Sequence, residues 1–290
     1  MGNMLIGRSL DGSWPEWLKE NIGRQCNPEE LLGVLLKNGF SVDSIRQHMG
    51  EHFPAHSVLL TMGADIHTSE GISYTAIANV RLTRPDTGLN VQQVVTNRLQ
   101  LYVLENFLSE EECDRIVEIA NTSLRPSTVT TGEIDKTYRT SNTCDLSLMN
   151  SAYIAKIDEK IARTLGVRIP YSEGMQAQRY DVGQEFKQHT DYFQPGTGEY
   201  STFANDTGQR TWTFMIYLNE GCKGGGTKFF AIDKIIYPRK GAAVIWNSLY
   251  PNGTPNPDTL HSGMPVEEGH KIIITKWFRE RGMGPMFYED

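Results

Sequence analysis

The chain has 290 residues, 39% hydrophobic and 10% aromatic, enough for one large core or for a domain with a smaller one attached. A formal charge of -7 leaves no basic surplus, which excludes an extended nucleic-acid surface and general membrane-surface binding and leaves small molecules, peptides or proteins as partners. Cys26, Cys113, Cys144 and Cys222 show neither a C-x-x-C pair nor zinc-ribbon spacing, so no disulfide framework or cysteine metal site is expected.

The first residues, MGNMLIGRSLDGSWPE, lack the apolar core of a signal peptide, and Ile6 stands where a myristoylation site needs Ser or Thr. No run approaches the roughly 18 apolar residues of a membrane span, and the expectation is a soluble, cytoplasmic protein. Short helices open the chain. Ser13 and Glu16 form a capping box before WLKENIG; Asn27, Pro28 and Glu30 start ELLGVLLKNG, with Leu32, Leu35 and Leu36 on one stripe; a third helix starts at Ser41. His48, His52 and His56 recur at four-residue intervals, but Gly50 and Pro54 break the helix that a metal-binding ladder would need. In YTAIANVRL, Ala76, Ala78, Val80 and Leu82 alternate, which predicts a strand. The strand of RLQLYVLENF follows, with Leu99, Leu101 and Val103 on one side; then come a helix capped by Ser109 and Glu112 and another near 150 to 165 with Ile154, Ile157, Ile161 and Leu165 on one stripe.

Beyond residue 170 the segments are short, β-rich and aromatic, separated by Gly, Pro and Asn clusters. They predict an antiparallel sandwich or barrel with the earlier helices packed outside. Within them, QHTDYF places His189 and Asp191 two apart, on one face of a strand, where both can reach one ion. Asp65 and His67 show the same pair in reverse with no further support. A third ligand must come from His261 or His270, and His261, at the start of a strand after a long loop, can face into a barrel mouth. Two histidines and a carboxylate are the facial triad of non-haem Fe(II) oxygenases, although zinc can take the same set. In HKIIITKWF, alternation puts Lys271, Ile273, Thr275 and Trp277 on one face. A lysine facing inward there needs an anion; one at a strand start can equally be exposed.

The stretch from Leu99 to Arg281 resembles the prolyl 4-hydroxylase branch of the 2-oxoglutarate and Fe(II)-dependent dioxygenases, through ENFLSEEECDRIV, YRTSNT, MQAQRYDVGQEFKQHTDYF, RTWTFMIYLNE, GGGTKFF, YPRKGAAVIWN and LHSGMPVEEGHKIIITKW, in order and in spacing. The resemblance implies a double-stranded β-helix (jelly roll) core, mainly β with flanking helices, over residues 96–290, with 1–95 an N-terminal helical accessory region. That region is open to peptide docking, a carrier-bound substrate, a second subunit or plain scaffolding.

The resemblance makes His189, Asp191 and His261 the iron ligands and catalytic centre, and Lys271 the partner of the 2-oxoglutarate C5 carboxylate. Tyr217 and Thr275 are implied to contact the same co-substrate and Tyr180 to lie near it; Arg210, Trp277, Phe186 and Trp246 are placed on the substrate side. For Tyr180, Tyr217, Trp246 and Trp277, core packing is the plain alternative. The implied cofactors are Fe(II), 2-oxoglutarate and O2, with ascorbate as a reductant. The implied reaction is hydroxylation of an unactivated C–H bond with release of succinate and CO2. The expected substrate is a prolyl or related residue of a peptide; the alternatives are a free amino acid of proline or pipecolate type, another small metabolite, or a silent binding module. Phe186 stands where the family has a substrate-facing tyrosine, and Phe230 replaces a proline of GG-x-T-x-F-P. The long polar loop from 193 to 209 is expected to be a lid.

Overall fold

The structure, a computed structural model, describes residues 9–12, 14–24, 26–37, 40–54, 72–84, 88–127, 138–149 and 151–289. Asp65, His67, His56 and Ser13 lie outside the described residues.

The main sheet has the order β1-β2-β11-β7-β14-β5-β4-β3, every neighbouring pair antiparallel: β1 Val91–Gln93, β2 Leu101–Leu104, β3 Arg125–Pro126, β4 Asn142–Asp145, β5 Gln176–Asp181, β7 Arg210–Tyr217, β11 Ala243–Asn247 and β14 His270–Arg279. A smaller sheet, ordered β10-β9-β12-β6, is made of β6 Phe186–His189, β9 Thr227–Phe229, β10 Lys234–Ile236 and β12 His261–Gly263. A separate ribbon pairs β8 Lys223–Gly224 with β13 Val266–Glu268.

The period of two in the central strands sorts side chains between two different interiors. Trp212, Phe214 and Ile216 of β7, Ile272, Ile274 and Phe278 of β14, and Ala243 and Ile245 of β11 face the helices, in one core with Cys113, Ile116, Ile154, Ile157 and Leu165. The alternate residues Met215, Tyr217, Ile273, Val244 and Trp246 face the smaller sheet, in a second core with Tyr180 and Phe229. The two layers form the jelly-roll sandwich, and the site lies between them.

Each helix follows from its local signals. Helices α1 Trp14–Gly23, α2 Pro28–Lys37 and α3 Val42–Met49 build a cluster of their own around Leu18, Leu32, Leu35, Phe40 and Ile45, all essentially excluded from solvent. Helix α3 begins at Ser41, whose hydroxyl accepts from Ser44 N, and ends at Gly50, so His48 and His52 do not share a helix. Tyr74–Ala78 is a helix, α4, and not the strand that alternation predicts. Tyr74, Ile77 and Ala78 satisfy the i, i+3, i+4 spacing equally well, and the Ser73 hydroxyl accepts from Ala76 N to start the turn. The short helix leaves carbonyls unsatisfied, and the buried Trp212 Nε1 donates to Ile77 O at 2.7 Å.

This segment therefore belongs to the main core, with Ile77, Val80 and Leu82 each no more than 2% exposed, and β1 is hydrogen-bonded to β2. The helical cluster itself ends near Phe53, whereas the division expected at residue 95 falls between two paired strands. Helix α5, Glu110–Asn121, carries the complete Ser109–Glu112 capping box, and α6, Ala152–Leu165, is capped by Ser151 and stopped by left-handed Gly166. The four cysteines are free thiols, and no helix among the described residues is long and apolar enough to cross a membrane.

Candidate active site

His189 ends β6 and His261 opens β12, and the two are direct cross-strand partners in the smaller sheet. Asp191, just past β6, completes a group whose ligand atoms all lie within 4.8 Å of one another. The Asp191 carboxylate sits between the two rings, Oδ1 4.0 Å from His189 Nε2 and Oδ2 4.0 Å from His261 Nε2. Each histidine donates Nδ1–H to the carbonyl two residues upstream, His189 to Lys187 O at 2.8 Å and His261 to Thr259 O at 2.9 Å. A carbonyl can only accept, so Nδ1 is the donor in each ring, and both Nε2 atoms face the shared space beside Asp191. Thr213, on the inner face of β7, donates to Asp191 Oδ2 at 2.6 Å.

Burial, reinforced by the neighbouring His261, pushes His189 down to about 3, so the imidazole is neutral at physiological pH. Burial opposes ionisation of Asp191, but the two imidazoles, Arg210 and the Thr213 hydroxyl together hold its pKa below the ordinary value. Two imidazole nitrogens and one carboxylate, without a thiolate, fit a divalent ion that keeps open positions. No other such group occurs among the described residues.

The cavity at this centre is lined by Lys271, Ile273, Thr275 and Trp277 from β14, as alternation predicts, and by Tyr180, Gln178, Met215, Thr227, Trp246 and Phe186. Lys271 is 1% exposed, its ammonium lying 4.3 Å from the Tyr180 ring centre, and among the described residues no carboxylate pairs with it. Burial lowers its pKa to about 8. A buried cation in a pocket with a metal triad is complementary to a bound anion. A polar rail runs beside it: Tyr180 Oη donates to Gln178 Oε1 at 2.9 Å, and Gln178 Nε2 donates to Thr275 Oγ1 at 3.2 Å. Gly263 allows the close approach, since a Cβ there would stand 3.3 Å from Lys271 Nζ.

Two predicted site residues are placed differently. The Tyr217 hydroxyl does not reach the cavity; it is engaged by Thr227 Oγ1 at 2.7 Å and Ile236 O at 2.9 Å, and it is Thr227 that lines the wall. Arg210 is held off the cavity by a bidentate pair with Glu173 at 2.5 and 2.6 Å, stacks over Trp277, and reaches Asp191 only through that residue's carbonyl, at 3.4 Å. Glu173 is shared with Arg279 at 2.8 Å, and Arg279 also donates to Phe203 O at the end of helix α7, Gly198–Phe203, inside the 193–209 loop.

Sequence reasoning missed Gln178, Thr213, Thr227 and Glu173. Gln178 and Thr213 were within reach of the alternation argument, being two residues from Tyr180 and Met215 on the same faces. Glu173 lies outside any strand and carries no local signal.

The fold, the donor set and the buried lysine define a 2-oxoglutarate and Fe(II)-dependent oxygenase, and comparison with known proteins agrees. The 2OG-Fe(II) oxygenase superfamily matches residues 175–279. The chain is 30% identical over 245 residues to "Prolyl 4-hydroxylase 13" of Arabidopsis thaliana, covering 73% of this chain and 86% of that protein. It is 34% identical over 181 residues to "Putative prolyl 4-hydroxylase" of Acanthamoeba polyphaga mimivirus, covering 62% and 74%. It matches "Prolyl 4-hydroxylase subunit alpha-1" of Gallus gallus at 31% identity over 182 residues, spanning 61% of this chain but only 35% of that longer protein. Among solved structures, the viral collagen prolyl hydroxylase of Paramecium Bursaria Chlorella virus-1 in its 2OG complex superposes with a TM-score of 0.50 at 27% identity, covering 62% of this chain and 96% of that one. The chain belongs to the prolyl 4-hydroxylase family of 2OG-Fe(II) oxygenases.

Proposed function

We propose that the chain hydroxylates a prolyl residue of a peptide or protein, with His189, Asp191 and His261 holding Fe(II) and Lys271 pairing with the distal carboxylate of 2-oxoglutarate. The observation that carries the reading is the coincidence, in one cavity, of the His-Asp-His group and a buried lysine with no carboxylate partner among the described residues. The relatives named as prolyl 4-hydroxylases and the viral collagen prolyl hydroxylase supply the substrate class.

Iron, 2-oxoglutarate and O2 bound at the site supply the oxidising chemistry, with succinate and CO2 as co-products. The protein supplies position and exclusion of water. Lys271 fixes the dicarboxylate by charge, and the Gln178–Thr275 rail offers hydrogen bonds along the same wall. Thr213 holds the Asp191 carboxylate in its orientation between the two imidazoles. Met215, Ile273 and Trp246 keep the wall apolar, and Trp277 presents aromatic surface against which the puckered pyrrolidine ring of a proline can pack. The helical cluster between Leu10 and Phe53, with its own core, acts as an accessory module that leaves the chemistry to the rest of the chain.

The test is mass spectrometry of proline-rich peptides and of free proline after incubation with anaerobically iron-loaded enzyme, 2-oxoglutarate and O2, with succinate quantified in parallel. A +16 product on peptidyl proline, stoichiometric with succinate, is expected. Hydroxylated free proline with inert peptides would overturn the substrate class, and succinate formation unaffected by His261→Ala would overturn the metal assignment.

A further inference from the structure

The register of β6 does not run straight through the site. His261 pairs with His189 and Gly263 with Phe186, so two steps along β12 match three along β6. This is a β-bulge, and its extra residue re-aims the side chains on either side of it. In an unbroken strand, residues 186 and 189 would face opposite ways. Across the bulge they meet: the Phe186 ring lies flat on the His189 imidazole, centroids 3.6 Å apart and planes 18° from parallel.

A strap keeps the phenyl ring there. Arg139 bridges Phe186 in antiparallel fashion, Lys187 N donates to Tyr138 O at 3.0 Å, and Thr140 N donates to Glu185 O at 3.1 Å. Tyr138 donates its hydroxyl to Gln188 O at 2.6 Å and sets its ring edge-on to Phe186 at 5.9 Å. The Arg139 guanidinium stands 5.0 Å from the Phe186 centroid. The imidazole occupies one face of the phenyl at 3.6 Å, so the guanidinium takes the other.

The two imidazoles are supported by different neighbours. Without an ion, a ring held by its Cβ–Cγ bond and by one hydrogen bond at Nδ1 can still rock about that bond, and packing against its face limits the rocking and pre-organises Nε2. His261 is stopped from turning by Trp246, edge-on at 4.8 Å, and by Phe229 at 5.6 Å. For His189 the flat contact is Phe186; its other ring contact is His261, at 4.2 Å and tilted by 56°.

We propose that Phe186, clamped by the Tyr138–Arg139 strap across the β6 bulge, is a positioning residue that fixes the plane of the His189 imidazole and so sets the affinity of the metal site. The inference rests on the reading of His189 as a metal ligand, and it gives Phe186 a role that does not require contact with substrate. Leucine at this position keeps apolar volume but loses the flat face; tyrosine keeps the face.

The experiment is anaerobic titration of the full-length chain with Co(II), read by its visible absorption bands and by calorimetry, for wild type, Phe186→Leu, Phe186→Tyr, Tyr138→Ala and His189→Ala. Phe186→Leu is expected to raise the Co(II) Kd by about tenfold or more and to shift the bands, the range seen when outer-shell support of a ligand is removed. Phe186→Tyr should stay within about threefold of wild type, and Tyr138→Ala should fall between the two. If Phe186→Leu does not fold, Tyr138→Ala carries the comparison. Wild-type affinity and spectrum in every folded strap or Phe186→Leu variant, with His189→Ala unable to bind, would overturn the positioning role while leaving the metal assignment standing. Wild-type binding by His189→Ala would overturn the assignment itself.

Discussion

Replacement of Lys271 by methionine is expected to move co-substrate binding and stability in opposite directions. The ammonium is buried, faces the metal cavity and has no carboxylate partner among the described residues. Lowering its pKa from 10.5 to about 8 corresponds to a penalty of about 3 kcal/mol on carrying the charge there without an anion. Below pH 8 the folded protein bears this penalty in full. Between about 8 and 10.5 the unfolded chain holds the proton more tightly than the folded one, so stability rises with pH across that window.

Lys271→Met removes both the penalty and the pH dependence. Without 2-oxoglutarate the variant should melt at higher temperature than wild type at pH 7, by up to about 3 kcal/mol, because an apolar side chain of similar volume replaces an unpaired charge. With Mn(II) bound and O2 excluded, calorimetry should show the opposite. Loss of the charge-assisted contact costs about 2–5 kcal/mol, roughly 30- to 4000-fold in the Kd for 2-oxoglutarate. A variant less stable than wild type that binds 2-oxoglutarate normally would refute both halves of the reasoning.

His261→Ala and Asp191→Ala should fold, since both residues project into the cavity and not into the helix-covered core, yet should show no stoichiometric Mn(II) binding by calorimetry and no succinate production. Thr213→Val removes the hydrogen bond to Asp191 Oδ2 and is expected to weaken metal binding about tenfold, measured by the same titration. Glu173→Gln breaks a partly buried carboxylate shared by Arg210 and Arg279, at a cost of about 3 kcal/mol by denaturant unfolding. Because the arginines hold the Glu173 pKa below 4.5 in spite of burial, this stabilisation is complete above that pH and is lost as the pH falls through the lowered value; a variant with the wild-type acid-unfolding profile would contradict it. Leu32→Ala, in the core of the N-terminal cluster, should cost that cluster about 2–5 kcal/mol. Hydrogen exchange should then rise in residues 14–53 while 2-oxoglutarate binding stays at the wild-type value.

What could be read without coordinates is what depends on short-range periodicity. The capping box at Ser109, the stripe of α6 and the inward face Lys271, Ile273, Thr275 and Trp277 of β14 all follow from repeat lengths of 3.6 or 2, which the backbone imposes wherever an element forms. His189 and Asp191 were legible as a pair, although β6 ends at His189 and the strand period does not place Asp191, which sits in the bend that follows. Short segments carry too few repeats to choose between periods, which is why Tyr74–Ala78 reads as strand and folds as helix. Long-range pairing left no trace in the residue pattern. That His261 stands opposite His189, that Tyr217 spends its hydroxyl on Thr227, and that Glu173 gathers Arg210 and Arg279 are consequences of strand order. The sharpest case is Phe186. Alternation sends it to the face away from His189, and only a bulge, whose extra residue is defined by the partner strand and not by β6 itself, turns it onto the imidazole.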